Sequence, residues 1–222
     1  MTETFHVAVV GGTGNEGRGL ALRLALAGVR VTIGSREEQR ALDTAAALRS
    51  KPGVSRIDGS ANGDAIAAAD VVFLAVPFAH AEELIAIHHE RFRHGALLID
   101  VTVPVIFEGG RPRFVEPPAG SAAEQIRRVL PEHVRLACAF KTLPARLLEH
   151  VDIPLECDDL ICGDSKESRE AAMQVVGRIS GLRPVDAGPL ETSRILERMT
   201  LLAITLNKRY KTHGARFKVL GI

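Results

Sequence analysis

The chain of 222 residues has no tryptophan, one tyrosine and three cysteines, and its charges nearly cancel. The 28 basic and 27 acidic side chains leave a formal net charge of +1, which argues against a general nucleic-acid binder. The cysteines, Cys138, Cys157 and Cys162, are odd in number and lack paired Cys-x-x-Cys spacing, so neither a disulfide framework nor a zinc site is predicted. Reduced cysteines fit a cytoplasmic protein best.

The chain also lacks a long uninterrupted apolar run. The longest apolar stretch, residues 67–81, is broken by Asp70 and Pro77 and is shorter than the roughly twenty residues that a membrane helix needs. No basic segment followed by a long apolar one opens the chain, so a secretion signal is not expected. We therefore expect a cytoplasmic protein that has small molecules rather than membranes or nucleic acids as partners.

Several catalytic motifs are absent. A P-loop closes with Gly-Lys-Ser/Thr, whereas Gly17 is followed by Arg18 and Gly19. A short-chain dehydrogenase of the usual kind needs Tyr-x-x-x-Lys, but four positions after Tyr210 stands a glycine. Neither Gly-x-Ser-x-Gly nor His-Glu-x-x-His occurs. Three histidines at a predicted helix end are interpreted as surface residues, so no metal is predicted: His88, His89 and His94.

What the sequence does contain is an apolar strand pattern that leads directly into a glycine-rich turn. Residues 7–10 precede Gly-x-Gly-x-x-Gly at Gly12, Gly14 and Gly17. The first glycine permits a tight turn, the second lets the backbone approach a pyrophosphate, and the third lets a helix pack against the sheet. That helix, predicted at residues 17–27, would direct its N-terminal amides at phosphates. A second strand at residues 29–34 completes a dinucleotide-binding βαβ unit.

The end of the second strand indicates which dinucleotide is bound. Enzymes that prefer NAD usually have an acid there for the ribose hydroxyls, whereas this chain has Ser35 and Arg36. Arg36, with Arg40 one helical turn later, suits the 2'-phosphate of NADP because a guanidinium binds phosphate in a bidentate fork. The pattern favours NADP. The alternative is that both arginines are solvated charges at the start of a surface helix.

Further along the chain, apolar runs alternate with helical patterns. Residues 71–76 are continuously apolar, as is typical of a parallel strand buried on both faces, and residues 96–101 are predicted as the next buried strand. We predict an α/β fold, namely a Rossmann-type doubly wound parallel sheet with a small C-terminal α/β part that ends in a long helix. The predicted domains are a dinucleotide-binding domain at residues 1–133 and a smaller part at residues 134–222 that completes the substrate cleft.

Ligands of such sheets bind at the carboxyl ends of the strands, which singles out Val76, Pro77, His80 and residues 102–104. Residues 106–119 are rich in proline and glycine and have little periodicity, so we predict a loop that covers the cleft.

Two helix starts are marked in the sequence. Ser121 and Glu124 form a capping box for a helix through Leu130. Ser165 caps a helix predicted at residues 166–179 and closed by Gly181.

The last long helix, predicted at residues 191–209, has an apolar stripe of Ile195, Met199, Leu202 and Leu206. Such a stripe is either core or buried against a partner, and we expect a homodimer.

The chain shows no evident acid and base pair for reducing a carbonyl. Hydride passing directly between two ring cofactors needs mainly alignment and exclusion of water. The whole chain resembles the NADPH-dependent reductases of the deazaflavin coenzyme F420, also called 8-hydroxy-5-deazaflavin:NADPH oxidoreductases. Five segments carry this resemblance: residues 11–15, 34–36, 76–80, 162–164 and 181–194.

The resemblance implies hydride transfer between NADP(H) and coenzyme F420, usually in a dimer, with no catalytic acid, base or nucleophile. Together with the glycine motif, it puts NADP on a set of matching positions: Gly12, Thr13, Gly14, Asn15, Glu16, Gly17, Ser35, Arg36, Arg40, Val76, Val103 and Ala145. The deazaflavin would lie near Lys141 and Leu143, with Ser193 and Arg194 close by, and His80 is a further candidate contact. Some family members carry histidine where this chain has Lys141, which could change the deazaflavin contact or mark a different acceptor.

Two alternatives stay open at this point. One is an NADPH-dependent reductase of a flavin or another acceptor, as in the related domain of membrane ferric reductases. The other is a protein that senses NADP without turnover. Acceptor assays separate them from a deazaflavin reductase.

Overall fold

The computed structural model describes residues 5–222. Ten strands and eight α-helices alternate along these residues. Their order is β1 (His6–Val10), α1 (Asn15–Leu26), β2 (Arg30–Ser35), α2 (Glu38–Arg49), β3 (Ile57–Ala61), α3 (Asn62–Ala68), β4 (Val71–Leu74), α4 (Ala81–Ile87), β5 (Leu97–Asp100), β6 (Val105–Glu108), β7 (Arg111–Phe114), α5 (Ala122–Val129), β8 (Arg135–Cys138), α6 (Ala145–Glu149), β9 (Cys157–Gly163), α7 (Lys166–Val176), β10 (Leu182–Pro189) and α8 (Ser193–Tyr210).

Eight strands form one sheet in the order β10-β9-β8-β5-β4-β1-β2-β3. Within this sheet, β8, β5, β4, β1, β2 and β3 are parallel to one another. Strand β9 is antiparallel to β8, and β10 is parallel to β9. The predicted Rossmann-type sheet is therefore confirmed, and the carboxyl ends of its parallel strands share one edge. The sheet continues across the proposed boundary at residues 133/134, because β5 pairs with β8. The division into two domains stays a proposal.

The sheet is buried on both faces, which explains its continuous apolar strands. Val7 and Val9 of β1 pack in one core with α1, α2 and α7, whereas Ala8 and Val10 pack in a second core with α3, α4 and α5. All four side chains are completely buried. The two cores fix both helix layers against the sheet and leave its carboxyl edge for ligands.

The prediction of a loop over residues 106–119 is wrong for its first half. Strands β6 and β7 form an antiparallel hairpin in which Val105 pairs with Phe114 and Glu108 pairs with Arg111. The two turn residues between them are Gly109 and Gly110, both with positive φ (55° and 73°). A Gly-Gly pair between two short runs is a hairpin signal, because both central residues of the favoured turn need positive φ.

Both predicted helix caps are present. The Ser121 hydroxyl accepts a hydrogen bond from the Glu124 amide at 3.1 Å, and Ser165 does the same for Ser168 at 3.0 Å. Helix α7 ends earlier than predicted, with Gly177 as its C-terminal cap. Gly181 instead lies just before β10 and has a φ of +77°.

The apolar stripe of α8 is only partly covered in the protomer, where Met199 packs against the second core. Ile195 is 63% exposed and Leu202 is 49% exposed, whereas the buried residues of this helix include Leu196, Glu197 and Ala203. The interpretation of the stripe as core is therefore wrong for these two residues. Within residues 5–222, no helix has both the length and the apolar character that crossing a bilayer requires.

Candidate active site

The glycine loop, residues 11–14, connects β1 to α1 at the carboxyl edge of the sheet. Gly11 has a φ of +75°, and a Cβ there would lie 2.6 Å from the Ala75 carbonyl oxygen. The Gly12 amide donates to the carbonyls of Val9 and Gly34, both at 3.2 Å, which holds the turn against β1 and β2. Helix α1 has no side-chain cap, because Gly14 is its N-cap residue. Its first amides are therefore available to an anionic ligand.

Gly14 and Gly17 have different surroundings, although both belong to the motif. A Cβ at Gly17 would lie 2.7 Å from the Gly12 Cα and 2.8 Å from the Gly11 carbonyl oxygen. A Cβ at Gly14 would meet only the Gly11 oxygen, at 3.5 Å, which is ordinary contact. Gly17 is thus required for the packing of α1, whereas Gly14 leaves room beside the loop.

We predict that Gly14→Ala and Gly17→Ala separate stability from cofactor binding. Gly14→Ala should keep the melting temperature within about 2 °C of wild type, since a surface change away from strain costs under about 0.5 kcal/mol. It should weaken NADPH binding at least about tenfold, because the methyl group stands where the pyrophosphate approaches. Gly17→Ala should lower the melting temperature through its backbone clash. Thermal melts and NADPH titrations of both variants measure the two effects.

Loss of stability in Gly14→Ala, or wild-type NADPH affinity in that variant, would contradict this assignment. Wild-type stability in Gly17→Ala would contradict the packing role of that glycine.

A cleft of about 380 Å³ opens beside the glycine loop. It is lined by Gly11, Thr13, Gly14, Ser35, Arg36, Glu37, Arg40, Asn62, Ala75, Val76, Pro77, His80, Glu83, Leu84, Ile87 and His88. The structure thus brings together eight of the sequence-predicted positions: Thr13, Gly14, Ser35, Arg36, Arg40, Val76, Pro77 and His80. This cofactor cleft connects the ends of β1, β2 and β4.

The sequence interpretation missed one wall of the cofactor cleft, which is formed by Asn62 and by Leu84, Ile87 and His88 of the α4 segment. Ile87 is 67% exposed although it is apolar. The exposure of this isoleucine indicates a binding surface on α4. It identifies the wall of the cofactor cleft only once the cleft itself is known.

Arg36, which follows β2, and Arg40, in the first turn of α2, differ in their ion pairs. Arg36 is exposed and forms no ion pair with a residue in the described range 5–222. The Arg40 guanidinium lies 3.6 Å from the Glu37 carboxylate, and both side chains are solvent-exposed. The Ser35 hydroxyl accepts a hydrogen bond from the Glu37 amide at 3.2 Å. Arg36 is therefore the guanidinium that is best placed to bind an anion in the cofactor cleft.

Lys141 lies below the surface at the ends of β5 and β8 and is 2% exposed. Its Nζ donates to Asp100 Oδ2 at 2.5 Å, to the Thr102 carbonyl at 2.6 Å and to Glu197 Oε1 at 3.2 Å. Burial by itself lowers the pKa of Lys141, but the carboxylates of Asp100 and Glu197 outweigh it and hold that pKa well above its usual value. We call Lys141, Asp100 and Glu197 the buried ionic cluster.

The buried ionic cluster joins four elements at the carboxyl end of β5. Asp100 Oδ1 accepts from the Thr102 amide at 2.8 Å, and Glu197 accepts from the amides of Ala122 and Ala123 at 3.0 and 3.3 Å. All three donors of the ammonium are occupied, and so a direct contact between Lys141 and a deazaflavin does not agree with this geometry. Lys141 is instead placed to position the Thr102 backbone beside Val103.

The other predicted deazaflavin residues are also buried or hydrogen-bonded to other residues of the protein. Ser193 is fully buried, and its hydroxyl donates to the Ser121 hydroxyl at 2.7 Å. Arg194 binds the Glu124 carboxylate through two nitrogens, at 2.8 and 2.5 Å, and thereby lowers the pKa of Glu124. Leu143 is 7% exposed. Of the four predicted positions 141, 143, 193 and 194, only Arg194, with 49% of its side chain exposed, presents substantial surface to solvent.

Three further predicted cofactor residues flank this region. Glu16, Val103 and Ala145 are all partly buried. Burial raises the pKa of Glu16 to about 8, Asp100 and Asp159 contribute in the same direction, and Lys141 opposes them. Asp159, which sequence reasoning missed, accepts from the Phe140 amide with both carboxylate oxygens, at 2.8 and 3.0 Å.

The fold and the cofactor cleft define a dinucleotide-binding oxidoreductase of the Rossmann type. The family model for coenzyme F420-dependent NADP oxidoreductases matches residues 6–104. The F420-dependent NADP reductase of Methanothermobacter thermautotrophicus is 38% identical over 223 residues, which cover 98% of this chain and 96% of that protein. The enzyme of the same name from Methanocaldococcus jannaschii is 35% identical over 224 residues, covering 98% and 99%. The chain belongs to the family of F420-dependent NADP reductases.

The fold has a close counterpart among solved structures. A crystal structure from Arthrobacter sp. FB24, provisionally assigned as an F420-dependent NADP reductase, superposes with a TM-score of 0.82 at 25% identity. The match covers 98% of this chain and all of that chain. The family resemblance predicted from the sequence is confirmed.

Proposed function

We propose that this protein transfers hydride directly between the nicotinamide of NADP(H) and the deazaflavin coenzyme F420. The observation that carries the proposal is the near full-length match to F420-dependent NADP reductases at 35–38% identity. The open N-terminus of α1 and Arg36, which has no ion-pair partner among residues 5–222, lie in one cleft and support it.

NADP is proposed to lie along the cofactor cleft. Its pyrophosphate would bind at residues 12–17, over the N-terminus of α1, and its 2'-phosphate at Ser35, Arg36 and Arg40. The nicotinamide would then reach the ends of β4 and β5, where Val76 and Val103 are partly buried. The buried ionic cluster holds this end of the sheet in place.

The deazaflavin is proposed to lie over the nicotinamide, beside the segment that follows β8. Leu143 and Ala145 begin the apolar turn into α6 there, and His80 lies on the rim of the cofactor cleft. An apolar turn excludes water from the two rings, and hydride transfer between aligned rings needs no protein nucleophile.

Absorbance spectroscopy tests the proposed function. We expect NADPH to bleach oxidised coenzyme F420 in the presence of the protein, whereas NADH and FMN, used as controls, should give little change. Reduction of FMN without reduction of the deazaflavin would identify a flavin reductase. Tight NADPH binding with no reduction of either acceptor would identify an NADP sensor.

We also propose that the protein is a homodimer that buries the exposed stripe of α8. Ile195 and Leu202 expose large apolar surface along one face, and such contiguous patches mark protein interfaces. Sedimentation of the purified protein tests this, and a monomer at micromolar concentration would contradict it.

We propose the cytoplasm as the site of the reaction. Cys138, Cys157 and Cys162 are all free and buried, which suits a reducing compartment. Fractionation of the host cell measures this directly.

A further inference from the structure

Another cavity, of about 710 Å³, lies at the opposite end of the sheet from the cofactor cleft. Its walls include the first residues of β1 and β2 and the connection between α1 and β2, and it shares no lining residue with the cofactor cleft. Strand β1 has five residues, so about 16 Å separates the two ends of the sheet. We call this space the amino-edge cavity. The proposed hydride transfer does not use it.

Four arginines and a single carboxylate, that of Asp70, line the amino-edge cavity. The arginines come from different parts of the chain. They are Arg30 at the start of β2, Arg56 immediately before β3, Arg93 between α4 and β5, and Arg178 after α7. The whole chain has a formal net charge of only +1, so this concentration of positive charge is local. A concave surface of one sign of charge attracts small ions of the opposite sign.

The carboxylate in the cavity already has its partners. Asp70 Oδ1 accepts a hydrogen bond from Arg93 Nη1 at 2.7 Å, and Oδ2 accepts one from the His6 amide at 3.0 Å. Both ring nitrogens of His6 are hydrogen-bonded, at 2.9 Å to a carbonyl oxygen and at 2.8 Å to a threonine hydroxyl. Burial, followed by the positive charge of Arg30, lowers the pKa of His6, so this ring is neutral at pH 7. The positive charge of the cavity therefore comes from its arginines.

The guanidinium groups of the other three arginines, Arg30, Arg56 and Arg178, form no ion pair or hydrogen bond with a residue in the range 5–222. Arg30 and Arg56 stand side by side on strands about 4.8 Å apart, since the Arg56 carbonyl accepts from the amide that follows Arg30, at 2.9 Å. Like charges in such positions repel each other. The Arg178 guanidinium carbon lies 5.8 Å from the centre of the Phe5 ring, which holds it at the cavity wall. An anion between the three groups would remove this repulsion.

The size of the amino-edge cavity indicates what kind of anion fits. Its volume lies within the range of about 300 to 1,000 Å³ that is typical of small-molecule sites. Arg30 and Arg93 belong to strand ends that are three positions apart in the sheet, which corresponds to about 14 Å. One phosphate ion cannot contact arginines on both sides of such a space, whereas a row of linked phosphates can. A guanidinium fork matches the oxygens of each phosphate group.

We propose that the amino-edge cavity binds an anion that carries two or more linked phosphate groups, either as a polyphosphate or as a nucleotide. Arg30, Arg56 and Arg178 bind the phosphate oxygens, and Arg93, held by Asp70, forms the opposite wall. The site is separate from the cofactor cleft, so this anion and NADP occupy the protein together.

Calorimetric titration of the full chain with tripolyphosphate, at low ionic strength and with and without saturating NADP+, tests this site. We expect one tripolyphosphate to bind per chain under both conditions. Arg30→Gln/Arg56→Gln should weaken binding at least about tenfold, since a single hydrogen bond to a charged group contributes that factor or more. The matched control Arg111→Gln/Arg209→Gln removes two exposed arginines from β7 and α8, outside the cavity, and should bind as wild type does.

A parallel titration with ATP distinguishes the two sources of linked phosphates. Tighter binding of ATP than of tripolyphosphate identifies a nucleotide site, and equal or weaker binding identifies a polyphosphate site. In both cases the affinity should fall in Arg30→Gln/Arg56→Gln.

Absence of saturable tripolyphosphate binding by wild type overturns the inference. An equal loss in Arg111→Gln/Arg209→Gln also overturns it, because the probe then responds to charge anywhere on the surface. Binding that disappears when NADP+ is added places the probe in the cofactor cleft and has the same consequence. If Arg30→Gln/Arg56→Gln fails to fold, Arg30→Gln alone takes its place, and wild-type affinity in that variant contradicts the assignment.

Discussion

Arg36→Ala should weaken NADPH binding by roughly 10- to 150-fold and leave NADH binding unchanged. The guanidinium lines the cofactor cleft without an ion pair among residues 5–222, so it is free to bind the 2'-phosphate. A hydrogen bond to a charged group contributes about 1.5 to 3 kcal/mol, which corresponds to this factor. Titration of each variant with both cofactors, followed by nicotinamide fluorescence, measures the change.

The matched control is Arg128→Ala, which removes an exposed arginine from α5, away from the cofactor cleft. This variant should bind NADPH as wild type does. An equal loss of NADPH and NADH affinity in Arg36→Ala would show that Arg36 does not read the phosphate. Arg40→Ala should have a smaller effect, since its guanidinium is shared with Glu37.

Lys141→Met should destabilise the protein by about 3 to 5 kcal/mol, because removal of one partner leaves a buried charge uncompensated. Asp100 and Glu197 would then face each other without a cation, and both are fully buried. The expected decrease in melting temperature is roughly 6 to 20 °C for a chain of this size. The loss should be smaller at pH 5 than at pH 8, since protonation of a carboxylate relieves the repulsion. Thermal and urea unfolding at both pH values measure it.

Two variants make this prediction specific. Lys166→Met removes an exposed lysine that lies 3.6 Å from Glu170, and a surface pair of this kind contributes less than about 1 kcal/mol. Adding Glu197→Gln to Lys141→Met should restore part of the lost stability, because one uncompensated charge is removed. Additive losses in the double variant would mean that Lys141 and Glu197 do not interact as the structure indicates.

The first βαβ unit and the central strands β4 and β5 could be predicted from the sequence because their signals are local. The motif glycines Gly12, Gly14 and Gly17 and the apolar runs of β1, β4 and β5 each lie within a few consecutive residues. Their conformations follow from turn geometry and burial on both faces. The structure moves the predicted element bounds by only a few residues.

The buried ionic cluster could not be predicted in the same way. Lys141 meets Asp100 across 41 positions and Glu197 across 56 positions of the chain. No periodicity or motif connects residues at such separations, and a lysine after a strand is more often a solvated or ligand-binding residue. Only the fold shows that its ammonium is enclosed.

The apolar stripe of α8 shows a different limit of prediction from sequence. A period of 3.6 residues predicts an apolar face, but it does not specify what covers that face. In the protomer, Leu196 and Ala203 contact the core, while Ile195 and Leu202 remain exposed. The hairpin at residues 105–114 is hard to predict for another reason, because Gly109 and Gly110 also raise the glycine content that is typical of a loop.

The central claim is direct hydride transfer from NADPH to the deazaflavin, and isotope transfer tests it most directly. The protein is mixed with oxidised coenzyme F420 and NADPH that carries deuterium at C4, once in each stereochemical position, and the product is analysed by mass spectrometry. We predict that one of the two labelled cofactors gives a reduced deazaflavin with one deuterium and no exchange with solvent. A reduced product without deuterium from either cofactor would show that hydrogen passes through an exchangeable carrier, and would contradict the account.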